Sequence, residues 1–155
     1  MTESRVFYYE TELSWRVEKE GELKGPGLAP LTVGAPSEFK GRGGQWTPEH
    51  LFVASMNSCF MLTFLAIAEN SKLPLISFSS AAKGKLEKVE GAGYRITEIV
   101  IKPIVVIASA QDLARTARIL EKAKENCLVT NSIKSRVTVQ PEIFHRQTET
   151  SSCPL

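Results

Sequence analysis

The chain has 155 residues, enough for one domain with a sizeable core, and its 43% hydrophobic and 23% charged residues are those of an ordinary globular protein. The formal net charge is +2 and no basic stripe is visible, which argues against nucleic-acid binding. The first residues, MTESRVFYYE, have acids and no apolar signal core, so with three cysteines we expect a protein of the reducing cytoplasm.

The N-terminal third predicts a small sheet. Segments 5–9, 14–20 and 23–33 are rich in aromatic and β-branched residues, which favours three strands, with Gly21 in the hairpin turn between the last two. A glycine-rich loop, PSEFKGRGGQ, follows at 36–45.

A long helix is predicted next. Thr47 is a capping residue, Pro48 suits the first helical position, and Glu49 favours the positive end of a helix. We expect this helix to run to about Asn70, before Pro74 prevents it from continuing.

The segment 51–68 of that helix, LFVASMNSCFMLTFLAIA, has no charged residue, so a membrane span is one interpretation. Scattered polar residues and the lack of basic flanks argue against it and favour a helix buried in protein on every side.

The remaining chain alternates strands and helices. The patterns predict two strands, 75–89 and 94–107, joined by a turn at Gly91 and Gly93, with a bulge near Thr97–Glu98. A helix at 110–126, capped by Ser109, and a helical turn at 128–134 are predicted next. The last predicted element is an edge strand around 137–143, beside Pro141. This order predicts an α+β fold with an antiparallel sheet in a single domain, 1–144, followed by a polar, flexible tail, 145–155.

One small sheet covers only one side of an all-apolar helix. A second copy of the chain is the simplest cover for the other side. We therefore expect an obligate homodimer with the helix near the two-fold axis.

Cys59, in the middle of the apolar helix, and Cys127, at the end of the second helix, are the candidate reactive groups. Free cysteines are often plain core residues, so an inert role is the alternative for both. Cys153 lies in the tail and is expected to be a bystander. His50 and His145 lack neighbours at metal-ligand spacing, so no metal site is expected, and no bound cofactor is predicted.

The stretch Thr47-Pro48-Glu49-His50-Leu51, followed by Cys59 and then by Cys127 with Asn131-Ser132, resembles the osmotically inducible protein C / organic hydroperoxide resistance family (OsmC/Ohr). The resemblance covers roughly residues 42–144. It implies an intertwined α+β homodimer with antiparallel sheets around two long central helices, one from each copy, and active sites at the subunit interface.

The resemblance also implies a reaction. Cys59 would reduce an organic hydroperoxide to an alcohol, Cys127 would resolve the resulting sulfenic acid as a Cys59–Cys127 disulfide, and a dihydrolipoyl group on a lipoylated partner protein would be the reductant. The chemistry is consistent, because a thiolate attacks the peroxide oxygen and a nearby thiol then prevents over-oxidation.

A buried thiol needs help to ionise, and an arginine is the cation that stays charged. In relatives an arginine paired with the helix-start glutamate, here Glu49, serves this role, but one branch would place it near 38–39, where this chain has none. Arg16 is slightly favoured over Arg42 as the substitute. Because Glu49 and Cys59 are about 15 Å apart along a straight helix and about 80° apart around it, a shared site needs Glu49 from the partner subunit or an arginine that spans the gap.

Three functions remain open from the sequence: a cysteine-based peroxidase, a small-molecule or lipid-binding protein on the same scaffold, and a structural stress protein without a site. A pocket lined by apolar residues would favour alkyl or aryl hydroperoxides over hydrogen peroxide.

Overall fold

The computed structural model describes residues 5–146 and divides into two compact units, one up to Leu51 and one from Phe52. The predicted tail residues from 147 onward, including Cys153, lie outside the described residues.

The first unit contains a three-stranded antiparallel sheet in the order β1-β2-β3. Its strands are β1 (Glu12–Val17), β2 (Glu20–Lys24) and β3 (Leu31–Gly34). The prediction of a strand at 5–9 was wrong, since these residues have no regular structure.

The hairpin turn assigned to Gly21 was also misplaced. The turn falls on Glu18 and Lys19, where Glu18 takes a left-handed φ of 49°. Gly21 lies inside β2 and pairs with Trp15 on one side and Val33 on the other. Glycine favours a left-handed φ, so Gly21 was the expected turn residue, but Glu18 takes the left-handed conformation here.

The long helix, α1 (Pro48–Asn70), has the predicted bounds. The Thr47 hydroxyl accepts a hydrogen bond from the His50 amide at 3.2 Å, which confirms the predicted cap. The helix α1 is long and apolar enough to cross a membrane. The buried core helix of a soluble protein can have the same length and composition, so this property alone is weak evidence for a membrane span. Its buried residues form one stripe along the helix: Met56, Phe60, Phe64 and Ala68.

The second unit is built on a long hairpin. Strands β4 (Leu75–Val89) and β5 (Gly93–Ile107) pair antiparallel, and Gly91 and Gly93 both have φ of 73° in the turn, as predicted. The register shifts where Lys85 pairs with Glu98 and Leu86 with Ile96. Thr97 is therefore the extra residue, which confirms the predicted bulge.

The second helix, α2 (Leu113–Asn126), follows a short 3-10 turn at Ala110–Asp112. The Ser109 hydroxyl accepts a hydrogen bond from the Gln111 amide at 3.2 Å, so the predicted cap lies on the 3-10 turn, while Asp112, the residue before α2, makes no side-chain cap bond. After Cys127 a second 3-10 turn, Thr130–Ser132, lies within the predicted helical turn.

The C-terminal strands correct the expectation of an antiparallel sheet. The single predicted strand is two strands, β6 (Arg136–Val139) and β7 (Glu142–His145), separated at Pro141. Both pair in parallel with β5, one after the other along the same edge, so the sheet is mixed. The alternation of apolar residues predicts a strand but not its direction, because the direction depends on the connection made by α2.

The core of the second unit joins α1 to this sheet and to α2. The aromatic rings of Phe64 and Phe78 lie 5.1 Å apart. A Cβ on Gly84 would lie 2.6 Å from a methyl carbon of Val53, so glycine lets α1 approach β4 closely. A polar contact also links the two elements, since the Ser80 hydroxyl donates to the Asn57 side chain.

Candidate active site

Cys59 and Cys127 lie together in the second unit. Cys127 ends α2 and is fully buried in the core, while Cys59 is half-buried on α1 and packs against that core. Both are free thiols, and the Cys127 thiol lies within hydrogen-bonding reach of the Cys59 sulfur. Two residues far apart in sequence are thus in contact, as disulfide exchange between them would require.

The Cys59 sulfur is held in a set of hydrogen-bond donors. Burial raises the pKa of this thiol, but donors from the Val129 backbone, the Cys127 thiol, the Thr63 hydroxyl and the Leu128 backbone together outweigh burial and hold the pKa below its ordinary value. Hydrogen bonds to the charged form favour ionisation. The sequence predicts a cation for this purpose, whereas these donors are neutral.

The pKa of the Cys127 thiol is shifted in the opposite direction, upward. Burial raises the pKa of the Cys127 thiol most, and the neighbouring Cys59 sulfur raises it further. The Thr130 hydroxyl and amide lower it, but not enough to compensate. As pH rises, Cys59 therefore ionises first and Cys127 remains a protonated donor beside it.

Thr63 has a single hydroxyl proton for two acceptors. It donates to the Cys59 carbonyl oxygen at 2.8 Å, and it also lies within reach of the Cys59 sulfur. One turn separates the two residues on α1, so the sequence contained this signal. The amides of Leu128 and Val129 were missed, because the predicted turn at 128–134 does not show which backbone amides face the Cys59 sulfur.

The predicted arginines lie in the first unit, and each faces a carboxylate there. Arg16 pairs with Glu22 at 2.6 Å, and Arg42 lies 3.5 Å from Glu20. Both arginine side chains are largely exposed, at 56% and 70%. One Glu49 oxygen is buried and has no hydrogen-bond partner among the described residues. The activating roles of these three residues stay predictions.

Glu49 and Glu20 also line a cleft of about 640 Å³ within the first unit. Its walls are mostly apolar and include Trp15, Val33 and Phe39. The orphaned Glu49 oxygen requires a donor, since a buried acceptor without a partner is costly.

Comparison with known proteins shows the family of the chain. The model of the family described as OsmC, OsmC-like protein, matches residues 41–142. The chain is 28% identical over 110 residues to peroxiredoxin OsmC of Escherichia coli, covering 71% of this chain and 75% of the relative. It is 25% identical over 114 residues to the uncharacterized protein YmaD of Bacillus subtilis, covering 72% and 75%.

Solved structures have the same fold. An OsmC-like protein of unknown function from Vibrio cholerae superposes with a TM-score of 0.82 at 23% identity, over 88% of this chain and 100% of the other. An organic hydroperoxide resistance protein OsmC from Legionella pneumophila gives 0.69 at 22% identity, over 91% and 99%.

The fold and the matched residues define an OsmC-like protein with a pair of adjacent cysteines. The chain belongs to the OsmC family, as the resemblance carried by the helix start at Thr47, by Cys59 and by Cys127 with Asn131-Ser132 predicted. At the level of that family a peroxiredoxin-like role is supported.

Proposed function

We propose that this protein is a thiol-dependent peroxidase that reduces organic hydroperoxides to alcohols. The Cys59 thiolate attacks the terminal peroxide oxygen, the O–O bond breaks, and the departing alkoxide takes a proton to leave as the alcohol. Cys59 becomes a sulfenic acid. The Cys127 sulfur then attacks the Cys59 sulfur, the S–O bond breaks, and water leaves as the Cys59–Cys127 disulfide forms.

The observation that carries this proposal is the opposite pKa shift of two sulfurs in contact. The Cys59 thiol has a lowered pKa and suits the nucleophile, and the Cys127 thiol has a raised pKa and suits the group that waits as a proton donor. This order of roles rests on the geometry of the second unit and agrees with the order that the family resemblance implies.

A dithiol must reduce the disulfide to close the cycle. We propose a dihydrolipoyl group, free or on a lipoylated protein, in the cytoplasm. Its two thiols become a cyclic disulfide while both cysteines return to the thiol form, so the electrons balance.

We further propose that the working form is a homodimer. Within one chain Leu62 on α1 is 60% exposed, and every residue of β1 is exposed, including Trp15 at 76%. Apolar surface of this kind marks an association site. In that dimer one arginine, Arg16 or Arg42, would place a positive charge beside the sulfur pair. Glu49 of the partner would supply the carboxylate that pairs with this arginine.

Peroxide consumption tests the proposal. With dihydrolipoamide as reductant, the wild-type protein should consume cumene hydroperoxide catalytically and Cys59→Ser should not. If both proteins consumed the peroxide equally slowly, the result would contradict the proposed enzymatic function. Light scattering in the same buffer should give about twice the 17.1 kDa of one chain.

Ligand binding without turnover is the second candidate function, favoured by the apolar cleft of the first unit and by the unpartnered side-chain oxygen of Glu49, a residue that lines this cleft. Co-purified small molecules found by mass spectrometry, together with no peroxide turnover, would support it.

A further inference from the structure

The two sulfurs of the cysteine pair differ in access. Cys127 is fully buried, whereas Cys59 is only half-buried on α1. A peroxide must already reach Cys59 for the proposed reaction to occur, and a dithiol reductant can use the same opening. The access seen in the structure therefore favours attack of the reductant on the Cys59 sulfur of the Cys59–Cys127 disulfide.

Attack on the Cys59 sulfur makes Cys127 the leaving group, and a thiol leaves faster when its pKa is low. Burial raises the pKa of the Cys127 thiol, which on its own would make it a poor leaving group. The Thr130 hydroxyl and the Thr130 amide both donate to the Cys127 sulfur and oppose this effect. While Cys127 departs, Cys59 is held in a mixed disulfide and carries no charge, so its charge no longer raises the pKa of Cys127.

The turn that follows Cys127 is held by its own hydrogen bonds. The Asn131 amide donates to the Cys127 carbonyl oxygen at 3.0 Å, and the Asn131 side chain donates to the Glu125 carbonyl oxygen at 3.0 Å. The Ser132 hydroxyl donates to the Leu128 carbonyl oxygen at 2.8 Å. The Asn131-Ser132 pair, part of the motif that carries the family resemblance, thus fixes the turn from which the threonine donors reach the sulfur.

We propose that Thr130 acts in the recycling step, where its hydroxyl and amide stabilise the negative charge of the departing Cys127 thiolate. This inference rests on the proposed peroxidase function and adds to it the order of bond changes in the second half of the cycle.

The bond changes balance as follows from thiol–disulfide exchange. One thiolate of the dihydrolipoyl group attacks the Cys59 sulfur, a mixed disulfide forms there, and the bond to Cys127 breaks with its electron pair on the Cys127 sulfur. The second thiol of the reductant then attacks the reductant sulfur bound to Cys59, which closes the cyclic disulfide and releases the Cys59 thiolate. The two protons lost by the dithiol are those that the two cysteines regain.

The reduction step can be measured separately from the peroxide step. Diamide forms the Cys59–Cys127 disulfide without a peroxide by taking up the two hydrogens, and dihydrolipoamide then reduces this disulfide while the absorbance of its own cyclic disulfide is followed. Thr130→Val should lower the second-order rate constant of this reduction roughly tenfold, as for the loss of a hydrogen bond to a charged group. Thr130→Ser keeps the hydroxyl and should react like the wild type.

Thr138→Val is the matched control. Thr138 is half-buried on β6 between Val137 and Val139, which pack against the core, so its side chain alternates to the opposite face of the strand. The reduction rate of this variant should equal that of the wild type. An unchanged rate in Thr130→Val, or an equal fall in Thr138→Val or in Thr130→Ser, would overturn the role of the Thr130 hydroxyl.

A trapping experiment on the wild type tests the direction of attack and depends on the folding of no variant. The oxidised protein is mixed with mercaptoethanol, quenched rapidly with acid, and labelled with a maleimide before digestion with trypsin. We expect the mercaptoethanol adduct on peptide 43–72, which contains Cys59, and the maleimide on peptide 125–134, which contains Cys127. The reverse placement would overturn the proposed order of bond changes.

Failure of this inference is distinguishable from failure of the peroxidase. If the wild type does not consume cumene hydroperoxide, the peroxidase proposal fails, whereas the disulfide made with diamide still decides the role of Thr130. With turnover, Thr130→Val should lower kcat/KM for dihydrolipoamide but not for cumene hydroperoxide, because the O–O bond breaks before Cys127 departs. A similar fall in both values would indicate a general structural effect and contradict the assignment.

Discussion

The two units of the chain differ in how far their own residues supply hydrogen-bond partners and cover their surfaces. In the second unit Cys59, which is half-buried, receives its hydrogen-bond donors from residues of the same unit, including Thr63, Leu128 and Val129. In the first unit β1 is exposed throughout, and a buried Glu49 oxygen has no hydrogen-bond partner among the described residues. We propose from this difference that a single chain supplies the residues of the thiol chemistry, whereas a second copy of the chain covers the first unit.

This comparison separates two sources of thiolate stabilisation. Neutral donors of the second unit lower the pKa of Cys59 within one chain. A cation from the first unit of a partner would lower it further, because an opposite charge nearby favours the thiolate. Arg16→Gln would remove the cation, and Thr63→Val would remove one of the neutral donors.

The largest expected effect is the loss of the resolving sulfur. Cys127→Ser should abolish multiple turnover, because the Cys59 sulfenic acid then has no adjacent thiol to condense with. The variant should release one alcohol per chain in a burst, followed by sulfenic or over-oxidised Cys59. Rapid-quench alcohol measurement with intact-mass analysis checks this, and steady turnover in the variant would contradict the pairing.

The core of the second unit should be the next most sensitive region. Phe64 is fully buried against the sheet, so Phe64→Ala should reduce the free energy of unfolding by about 3–5 kcal/mol. Urea titration followed by circular dichroism measures the loss. Phe144→Ala is the control, since Phe144 is 50% exposed on β7 and should cost far less. Equal losses would mean that the two rings are equally covered in solution.

Removing a first-unit arginine tests the contribution of a partner. Arg16→Gln should lower kcat/KM for cumene hydroperoxide roughly tenfold and move the pH midpoint of Cys59 alkylation upward, since a nearby cation favours the thiolate. Arg42→Gln should have the smaller effect. If neither variant changes the rate or the midpoint, the thiolate depends on the second unit alone.

Substitution of Thr63 should have the smallest effect on the reactivity of Cys59. Thr63→Val removes one neutral donor, so the pKa of Cys59 should rise and its alkylation rate at a fixed pH below the midpoint should fall about fivefold, as for a hydrogen bond of roughly 1 kcal/mol. Thr63→Ser keeps the hydroxyl and should react like the wild type. The thiolate fraction increases with pH, so the difference should disappear at alkaline pH. A persistent difference there would indicate a steric rather than a protonic effect.

Much of the fold was predictable because local signals mark its boundaries. Thr47 and Pro48 begin α1, Pro74 follows its end, and Gly91 and Gly93 make the β4–β5 turn. The parallel pairing of β6 and β7 with β5 was not predictable, because strand direction depends on contacts distant in sequence.

The candidate site divides in the same way. The two cysteines stand out by residue type, and Thr63 follows Cys59 by one helical turn. The Leu128 and Val129 amides carry no sequence signal, because almost every residue has an amide and only the chain path aims these two at sulfur.

Peptide mapping after oxidation tests the central claim most directly. Trypsin should place Cys59 in peptide 43–72, Cys127 in peptide 125–134 and Cys153 in peptide 147–155, so each possible disulfide has its own mass. After one equivalent of cumene hydroperoxide and alkylation without reductant, we predict a linked 43–72/125–134 species and an alkylated Cys153 peptide. An over-oxidised Cys59 beside an alkylated Cys127, or three alkylated thiols, would contradict the account.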